Sequence, residues 1–285
     1  MTLTERKFAA AFCAVGAAAF AYALFVEPYL IETVSLELIC SRLPKEFDGY
    51  SILQISDLHM RRLGRREKRL QAIVRKLPKH DLVLLTGDLI HTTKGAKPFY
   101  ELCESVQAVD GVYAVFGNSE HKNGVRSRKF AEEMAEHGIE ALINSHVEIE
   151  RKGAKIALLG VDDPVSQKDD IPKAVAGVPD DQFKLMMMHS PDPIGLAASY
   201  GIDVVFSGHT HGGQIRLPII GPLYTNSTLG ISMDHGLFKG EQLFRLIGFR
   251  AGRTQLYVTR GVGVSSLAIR FGCRPEITSI TLRRP

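Results

Sequence analysis

The sequence predicts an α/β fold preceded by an N-terminal membrane helix, and three observations lead to this prediction. Short apolar segments alternate with segments of helical period from residue 50 to residue 137. The second half of the chain is richer in strand-like segments and has only short helices. Residues 8–26 carry no charge. Alternating strands and helices predict a parallel sheet with right-handed crossovers and helices packed outside it.

The uncharged N-terminal segment, residues 8–26, has the length of about one bilayer crossing at ~1.5 Å per helical residue. Arg6 and Lys7 precede it, and Glu27 and Glu32 follow it. This charge bias favours an orientation with the N-terminus inside and the rest of the chain outside.

Two other interpretations of the N-terminal segment stay open. The tripeptide Ala21-Tyr22-Ala23 resembles a signal-peptidase site, and cleavage there would remove residues 1–23. The segment is also rich in alanine and only weakly apolar, which suits an interfacial or a soluble helix as well. We therefore expect residues 1–30 to be a transmembrane anchor or a signal segment, and residues 31–285 to form one domain.

The elements of this domain follow in order from apolar runs and from helical spacing. Leu70, Ile73, Val74 and Leu77 share one face of a first helix. Pro98 opens a second helix, and a third helix at residues 125–137 is stopped by Gly138. We expect strands at residues 31–40, 50–56, 81–87, 111–118, 146–150, 155–161, 183–189, 203–208, 255–259 and 276–282, and short helices near residues 171–177 and 193–200.

Polar side chains follow five of these strands at the point where each strand ends. Seven of them belong to residue types that bind metal ions: Asp57, His59, Asp88, Asn118, His189, His209 and His211. The carboxyl ends of parallel strands lie along one edge of a sheet, and ligands bind there. We therefore expect these seven side chains to converge on one rim.

The donor set indicates the kind of metal centre. Carboxylate oxygen, amide oxygen and imidazole nitrogen together suit divalent ions such as Mn²⁺, Fe²⁺ and Zn²⁺. The four cysteines lie far apart without a Cys-x-x-Cys pair, which argues against a structural zinc site. Seven donors are too many for one tetrahedral ion and suit two ions about 3.5–4 Å apart, bridged by a carboxylate. The residual positive charge of such a pair favours an anion such as phosphate.

Each of these residues has an ordinary structural explanation when it is considered alone. An Asp at a strand end is commonly a helix cap or a turn residue. Other histidines, namely His80, His91, His137 and His146, are interpreted as surface or hydrogen-bonded polar residues. The occurrence of seven ligand-type residues at five strand ends is the observation that favours a metal centre.

The motifs resemble the signature of the calcineurin-like metallophosphoesterases. The resemblance rests on Asp57-x-His59, Gly87-Asp88, Gly117-Asn118, His189 and Gly208-His209-x-His211, and it spans residues 51–211. Further stretches are similar to the membrane-associated bacterial branch of that superfamily. These are HSPD at residues 189–192, GHTHGGQ at 208–214, RGVG at 260–263 and PEI at 275–277.

This resemblance implies a four-layer α/β/β/α sandwich of two mixed β-sheets flanked by helices. It also implies residue roles. Asp57, His59 and His211 would hold one ion; Asn118, His189 and His209 would hold the second; and Asp88 would bridge the two. Water activated between the ions would attack phosphorus in line. Mn²⁺ is expected first, with Fe²⁺ or Zn²⁺ as alternatives.

One position departs from the family pattern. Family members commonly carry a His after the Asn, and that His stabilises the transition state or protonates the leaving oxygen. Here the residue is Ser119, whereas Glu120 keeps the following acid, which usually orients that His. A general acid is typically worth roughly 10²–10⁴-fold in rate. Either His121 supplies the imidazole, or the leaving group needs no strong acid, or the protein is a weak enzyme.

Residues 61–69, RRLGRREKR, form a basic stretch directly after the Asp57–His59 loop. Arg61, Arg62 and Arg65 are candidates to bind a substrate phosphate or anionic headgroups, and a solvated helix face is the alternative. No aromatic residues interrupt the stretch, which argues against a platform for single-stranded nucleic acid. Residues 217–246 form a long apolar connection that suits a loop, a hairpin or a contact with acyl chains.

These features predict a membrane-anchored, two-metal phosphoesterase that hydrolyses a phosphodiester or pyrophosphate bond of a lipid-linked or cell-envelope substrate. The resembling branch includes cleavage of UDP-2,3-diacylglucosamine in lipid A synthesis, which needs a cytoplasm-facing site. A periplasmic phosphodiesterase of broad specificity is the alternative, and a catalytically weak metal-binding scaffold is the second. We expect a monomer at the bacterial inner membrane with a small phosphate-containing substrate. The mildly basic net charge of +4 does not indicate a nucleic-acid partner.

Overall fold

The computed structural model describes residues 2–248, 251–265 and 267–285 of the chain. Its first element is helix α1 (Leu3–Phe25), which begins with a capping box between Thr2 and Glu5. Ala23 is the only described residue of α1 that is buried. Within the described part of the chain, α1 is also the one helix whose length and composition would allow it to cross a membrane.

The rest of the chain forms two six-stranded sheets, a small hairpin and seven shorter helices within the described residues. The strands are β1 (Glu32–Ile39), β2 (Ser51–Ile55), β3 (Leu82–Thr86), β4 (Val112–Val115), β5 (Ile139–Ala141), β6 (Ser145–Arg151), β7 (Ala154–Gly160), β8 (Phe183–Met187), β9 (Val204–Ser207), β10 (Arg216–Leu217), β11 (Gly221–Pro222), β12 (Gly236–Lys239), β13 (Gln255–Val258) and β14 (Glu276–Arg283). The helices after α1 are α2 (Arg65–Val74), α3 (Ala96–Cys103), α4 (Asn118–Lys122), α5 (Ser127–Glu136), α6 (Ile171–Val175), α7 (Ile194–Ser199) and α8 (Gly240–Ile247).

Both large sheets are mixed. The first has the order β1-β14-β2-β3-β4-β5; β2 to β5 run parallel, and β14 is antiparallel to β2 but parallel to β1. The second has the order β12-β13-β9-β8-β7-β6, with β7, β8, β9 and β13 parallel and an antiparallel strand at each edge. Strands β10 and β11 form a separate hairpin.

Three apolar layers hold the sheets and helices together. Side chains alternate between the faces of a strand, so Leu84 and Leu85 of β3 point in opposite directions. Leu85 packs with Phe99 in the layer under α2, α3 and α5, whereas Leu84 packs with Leu185 between the two sheets. Met186 belongs to the third layer, under α6, α7 and α8. The predicted four-layer α/β/β/α sandwich is therefore confirmed.

The structure differs from the sequence prediction at short elements. Residues 118–122, for which no helix was predicted, form the one-turn helix α4, which begins where the Glu120 carboxylate accepts a hydrogen bond from the Gly117 backbone N–H. The short strand β5 was also not predicted. The apolar connection at residues 217–246 contains the end of the β10–β11 hairpin, strand β12 and most of α8.

Candidate metal centre

The seven residues proposed as metal ligands all lie at one rim of the sandwich. They follow the carboxyl ends of β2, β3, β4, β8 and β9. Six are buried, and the seventh, Asn118, is half-buried. The two sheets face each other across the central apolar layer, so strand ends from both sheets contribute to the same rim.

A first group of potential ligands consists of Asp57, His59 and His211, whose donor atoms all lie within 4.8 Å of one another. The Nε2 atoms of His59 and His211 are 3.1 Å apart, and the Nε2 atom of His211 lies 3.5 Å from Oδ1 of Asp57. Two imidazole nitrogens and a carboxylate oxygen that face one point form a set that suits a divalent cation.

A second group is formed by Asp57, Asp88 and His189, again within 4.8 Å. The two carboxylate oxygens of Asp88 face different groups: Oδ2 lies 3.3 Å from Nε2 of His59, and Oδ1 lies 3.4 Å from Nε2 of His189. Nδ1 of His209 is 3.2 Å from the same His189 nitrogen. This placement between the groups is what a carboxylate that bridges two ions requires.

Two buried polar atoms at this rim test whether the residues fit metal ions. Among the described residues, Oδ1 of Asn118 and Nε2 of His209 have no hydrogen-bond partner. Buried polar atoms are nearly always paired in native proteins, so an unpaired amide oxygen and an unpaired imidazole nitrogen at one site call for another partner. A divalent cation accepts both kinds of donor, and the residues therefore fit the two ions.

The protonation of three of the four histidines also suits metal binding. Burial lowers the pKa of His59 and of His209 to about 4 and the pKa of His211 well below its usual value. These imidazoles are therefore neutral near pH 7 and keep a lone pair for a cation. Burial also opposes protonation of His189, but the adjacent Asp88 carboxylate outweighs it and raises the His189 pKa to about 10.

The backbone at the rim is strained. Five of the seven residues adopt left-handed conformations, with φ of 53° at Asp57, 46° at His59, 49° at Asp88, 69° at His209 and 51° at His211. Such conformations cost about 1–3 kcal/mol each in residues other than glycine, and they cluster where a site needs a particular geometry. The backbone of the rim therefore directs these side chains toward the site, and this geometry lowers the stability of the fold.

Two glycines of the sequence motifs make room for the carboxylates. A Cβ atom on Gly117 would overlap Oδ1 of Asp88, and one on Gly208 would overlap Oδ2 of Asp57. The Gly-Asn and Gly-His pairs of the sequence thus reflect close packing of strand ends around the two carboxylates.

Ser119 and Glu120 form hydrogen bonds that hold the proposed metal ligands and their loops in place. The backbone N–H of Ser119 donates to Oδ1 of Asp88 at 2.7 Å, and the Ser119 hydroxyl oxygen lies 3.1 Å from Nδ1 of His59. The Glu120 carboxylate accepts hydrogen bonds from the backbone N–H groups of Ile90 and Gly117. Glu120, whose counterpart in the family orients an imidazole, here ties together the loops that carry Asp88 and Asn118.

His121, the predicted substitute acid, is directed elsewhere. Its Nε2 atom lies 2.7 Å from Oδ1 of Asp162, and its ring meets the ring of Phe116 edge-on. The described residues that line the metal cavity include Asn118 and Ser119 but not His121.

The metal cavity has a volume of about 450 Å³, and its wall contains groups that the sequence analysis missed. His91, Lys122 and Tyr224 all line it, together with the predicted Arg61. Nη2 of Arg61 lies 2.8 Å from Nε2 of His91. His91 comes three residues after Asp88 in the loop beyond β3, and this position could have indicated that it lies at the site. Tyr224 follows no strand of the large sheets, so its sequence position gives no such indication.

A second cavity, of about 330 Å³, extends from the metal rim to the end of α1. It shares His59, Arg61 and Ser265 with the metal cavity. The predicted Arg62 and Arg65 line it, as do three residues at the end of α1 or just beyond it: Leu24, Pro28 and Tyr29. The Arg65 guanidinium stacks over the Tyr29 ring at 4.7 Å. The three predicted arginines are thus placed beside the rim.

A four-layer sandwich with paired metal-ligand groups and a cationic wall defines a metal-dependent phosphohydrolase. The chain belongs to the calcineurin-like phosphoesterase family, whose sequence signature matches residues 50–213. The resemblance predicted from the motifs is therefore confirmed, and so is the enzyme class.

Three relatives extend this assignment along the chain. The uncharacterized metallophosphoesterase YkuE of Bacillus subtilis is 30% identical over 270 residues, which is 93% of this chain and 90% of the relative. The phosphodiesterase YaeI of Escherichia coli is 29% identical over 287 residues, 98% of this chain and 99% of the relative. The UDP-2,3-diacylglucosamine pyrophosphatase LpxG of Chlamydia muridarum is 28% identical over 306 residues, 90% of each chain.

Proposed function

We propose that the protein is a membrane-anchored phosphoesterase that uses two divalent ions to hydrolyse a phosphodiester or pyrophosphate bond of a lipid-linked substrate. The observation that carries this proposal is the cavity shared by the metal rim and the end of α1. His59 and Tyr29 line the same cavity, with the arginines of the basic stretch between them. A phosphate held at the bilayer surface by an apolar tail would meet these residues first.

The proposed reaction assigns a role to each group of side chains. Two bound divalent ions, with Mn²⁺ as the first candidate, would supply an activated water and neutralise phosphoryl oxygens. The seven rim residues hold the ions, with Asp88 between the two sites. Arg61, His91 and Lys122 bind and orient the phosphoryl oxygens, since cations and N–H donors are the groups that stabilise this charge. Arg62 and Arg65 hold a second phosphate or a headgroup on the side of α1.

The names of two relatives support two candidate activities. The name of LpxG supports a UDP-2,3-diacylglucosamine substrate, in which a pyrophosphate joins a nucleoside to an acylated sugar. The name of YaeI supports a phosphodiesterase, and the charge bias around α1 favours an outside-facing domain, hence a periplasmic enzyme.

The test uses the full chain in lipid nanodiscs with Mn²⁺. UDP-2,3-diacylglucosamine embedded in the disc and soluble bis(4-nitrophenyl) phosphate are compared as substrates. Higher kcat/KM for the embedded lipid supports the lipid-linked substrate, whereas hydrolysis of the soluble ester alone supports the periplasmic phosphodiesterase. The lack of turnover of either compound with Mn²⁺, Fe²⁺, Zn²⁺ or Co²⁺ would contradict the proposal and favour a metal-binding scaffold.

The membrane side is tested on a Val109→Cys variant in spheroplasts of a bacterial host. Val109 is exposed, Cys40, Cys103 and Cys273 are buried, and Cys13 lies on α1. Labelling of this variant by a membrane-impermeant maleimide supports a periplasmic domain. Labelling only after lysis supports the cytoplasmic pyrophosphatase.

A further inference from the structure

Among the described residues, Ile219 at the turn between β10 and β11 has the largest exposed fraction of any large apolar side chain. Ile219 is 107% exposed and Ile220 is 67% exposed, and Leu223 and Tyr224 beside them are also exposed. Exposed single hydrophobic residues are common, but two adjacent exposed isoleucines in the turn, followed by two further exposed apolar residues just after β11, mark an interaction surface. The question is which partner covers it.

The turn keeps its shape at the cost of strain. Ile219 has φ of 70°, a conformation that β-branched residues rarely adopt. Its side chain packs against no other part of the described protein, since it is fully exposed. Strain of this kind persists where a function requires the geometry, and here the geometry projects two isoleucines outward.

The base of the hairpin and the end of α1 are fixed to one short segment. The carbonyl oxygen of Phe271 accepts a hydrogen bond from the backbone N–H of Arg216 at the start of β10. The residues on either side of Phe271 bind the α1 end: the N–H of Arg270 donates to the carbonyl oxygen of Ala23, and the N–H of Gly272 donates to the Glu27 carboxylate. The base of the hairpin and the end of α1 are therefore held in a fixed position relative to each other.

These hydrogen bonds determine where the tip of the hairpin lies relative to the end of α1. Ile219 and Tyr22 line the same cavity of about 690 Å³, and Tyr22 lies in the last turn of α1. The tip therefore stands beside the end of the apolar helix. If α1 crosses a bilayer, its last turn lies at the membrane boundary, where a Tyr is commonly found.

We propose that the β10–β11 hairpin inserts Ile219 and Ile220 into the leaflet at which α1 ends, as a second membrane contact. A lipid bilayer is the partner that covers this surface. Two contacts fix the rotation of the domain about α1, and they hold the metal cavity, whose wall includes Tyr224 of the segment after β11, toward the lipid surface. The inference rests on the membrane attachment of α1 proposed above.

The chain contains no tryptophan, so single tryptophan substitutions report on chosen positions. Four variants of the full chain are reconstituted in nanodiscs with and without phosphatidylcholine brominated on its acyl chains. Phe12→Trp reports on α1, Ile219→Trp reports on the hairpin, and Val109→Trp is an exposed control at the opposite ends of the strands. Ile220→Trp repeats the hairpin measurement at a residue without positive φ.

We expect bromine to quench the larger part of the emission of Phe12→Trp and of Ile219→Trp or Ile220→Trp, and to leave Val109→Trp unchanged. Quenching of Phe12→Trp with unquenched hairpin variants would overturn the hairpin contact alone. An unquenched Phe12→Trp would overturn the membrane attachment itself. A different result would be that bromine leaves the emission of the hairpin variants unchanged while protein concentration shifts it. This result would show that a second copy of the chain covers the hairpin, and it would also overturn the inference.

Discussion

Glu27, just beyond the end of α1, accepts a backbone hydrogen bond from Cys273, whose thiol donates to the carbonyl oxygen of His211 at 3.2 Å. Only one residue thus separates the carboxylate at the end of α1 from a proposed metal ligand. Glu27 is buried and also accepts the N–H of Gly272. The end of α1 is therefore part of the structure that supports the metal rim.

Replacement of Glu27 tests this connection. Glu27→Ala leaves the buried N–H of Cys273 and the less buried N–H of Gly272 without an acceptor, and an unpaired buried group costs about 1–3 kcal/mol. We expect the free energy of unfolding to fall by about 2 kcal/mol or more and the melting temperature in detergent to fall with it. Glu37→Ala, at an exposed carboxylate, is the control. Equal melting temperatures of the two variants would show that Glu27 does not support the rim.

Asp88→Asn tests the bridging position. The amide keeps the shape of the carboxylate but removes the charge shared between the two groups of ligands. We expect hydrolysis of bis(4-nitrophenyl) phosphate to fall by at least about 10²-fold, because loss of an ion removes several kcal/mol of transition-state stabilisation. Elemental analysis should show fewer Mn²⁺ ions per chain. The exposed Asp181→Asn serves as control, and a full metal complement in Asp88→Asn would refute the bridge.

Ser119 should act as a positioning residue. Its hydroxyl contacts Nδ1 of His59 and leaves Nε2 directed at the rim. Because partners behind a metal ligand fix its orientation, Ser119→Ala should weaken Mn²⁺ binding about 10–100-fold in calorimetric titrations. Ser119→Thr keeps the hydroxyl and should retain most of the affinity. Equal affinities of the two variants would assign Ser119 no role in binding.

The donor to the leaving group can be identified by comparing two histidines. His91 lines the metal cavity, whereas His121 is bonded to Asp162. We expect His91→Ala to slow hydrolysis by about 10²-fold with a poor leaving group such as phenol, and much less with 4-nitrophenol. His121→Ala should show no such dependence on the leaving group. The reverse pattern would restore His121 as the substitute acid.

Metal binding should depend on pH through His189. The Asp88 carboxylate raises the pKa of His189 to about 10, so this imidazole is protonated at neutral pH without metal. An ion must displace that proton, and metal affinity should therefore rise with pH, by up to about tenfold per unit between pH 6 and pH 9. Titrations with Mn²⁺ in buffers of different ionisation enthalpy measure the proton release. An affinity independent of pH in this range would contradict this assignment.

Much of the site was predictable because its ligands combine two strong signals. Asp57, His189 and the other rim residues belong to chemically specific types, and each follows an apolar strand whose end must reach the same edge. His91 shows the second signal only weakly, since it lies three residues beyond Asp88 in the loop after β3. Tyr224 lacks this signal, because the path of a loop is set by packing that has no period in the sequence. The predicted roles of the seven ligands and of Arg61 remain predictions that the variants above test.

The fold was predictable at the level of layers but less so for short elements. Long strands and the helices with an apolar face were recognised from their periods. Helix α4 has no apolar face, and its signal was the Gly117-x-x-Glu120 capping pattern. Strands β5 and β12 have only three and four residues, too few to show the alternation of a strand clearly.

Among the described strands, β1 has β14 as its only neighbour in the first sheet, and Glu32 pairs with Glu276. During synthesis β2, β3 and β4 are therefore complete long before β1 can pair with β14. Pairing over such a sequence separation is slow and leaves open strand edges in the meantime. If α1 is held in a membrane, as proposed above, it would also keep these incompletely folded chains apart during synthesis.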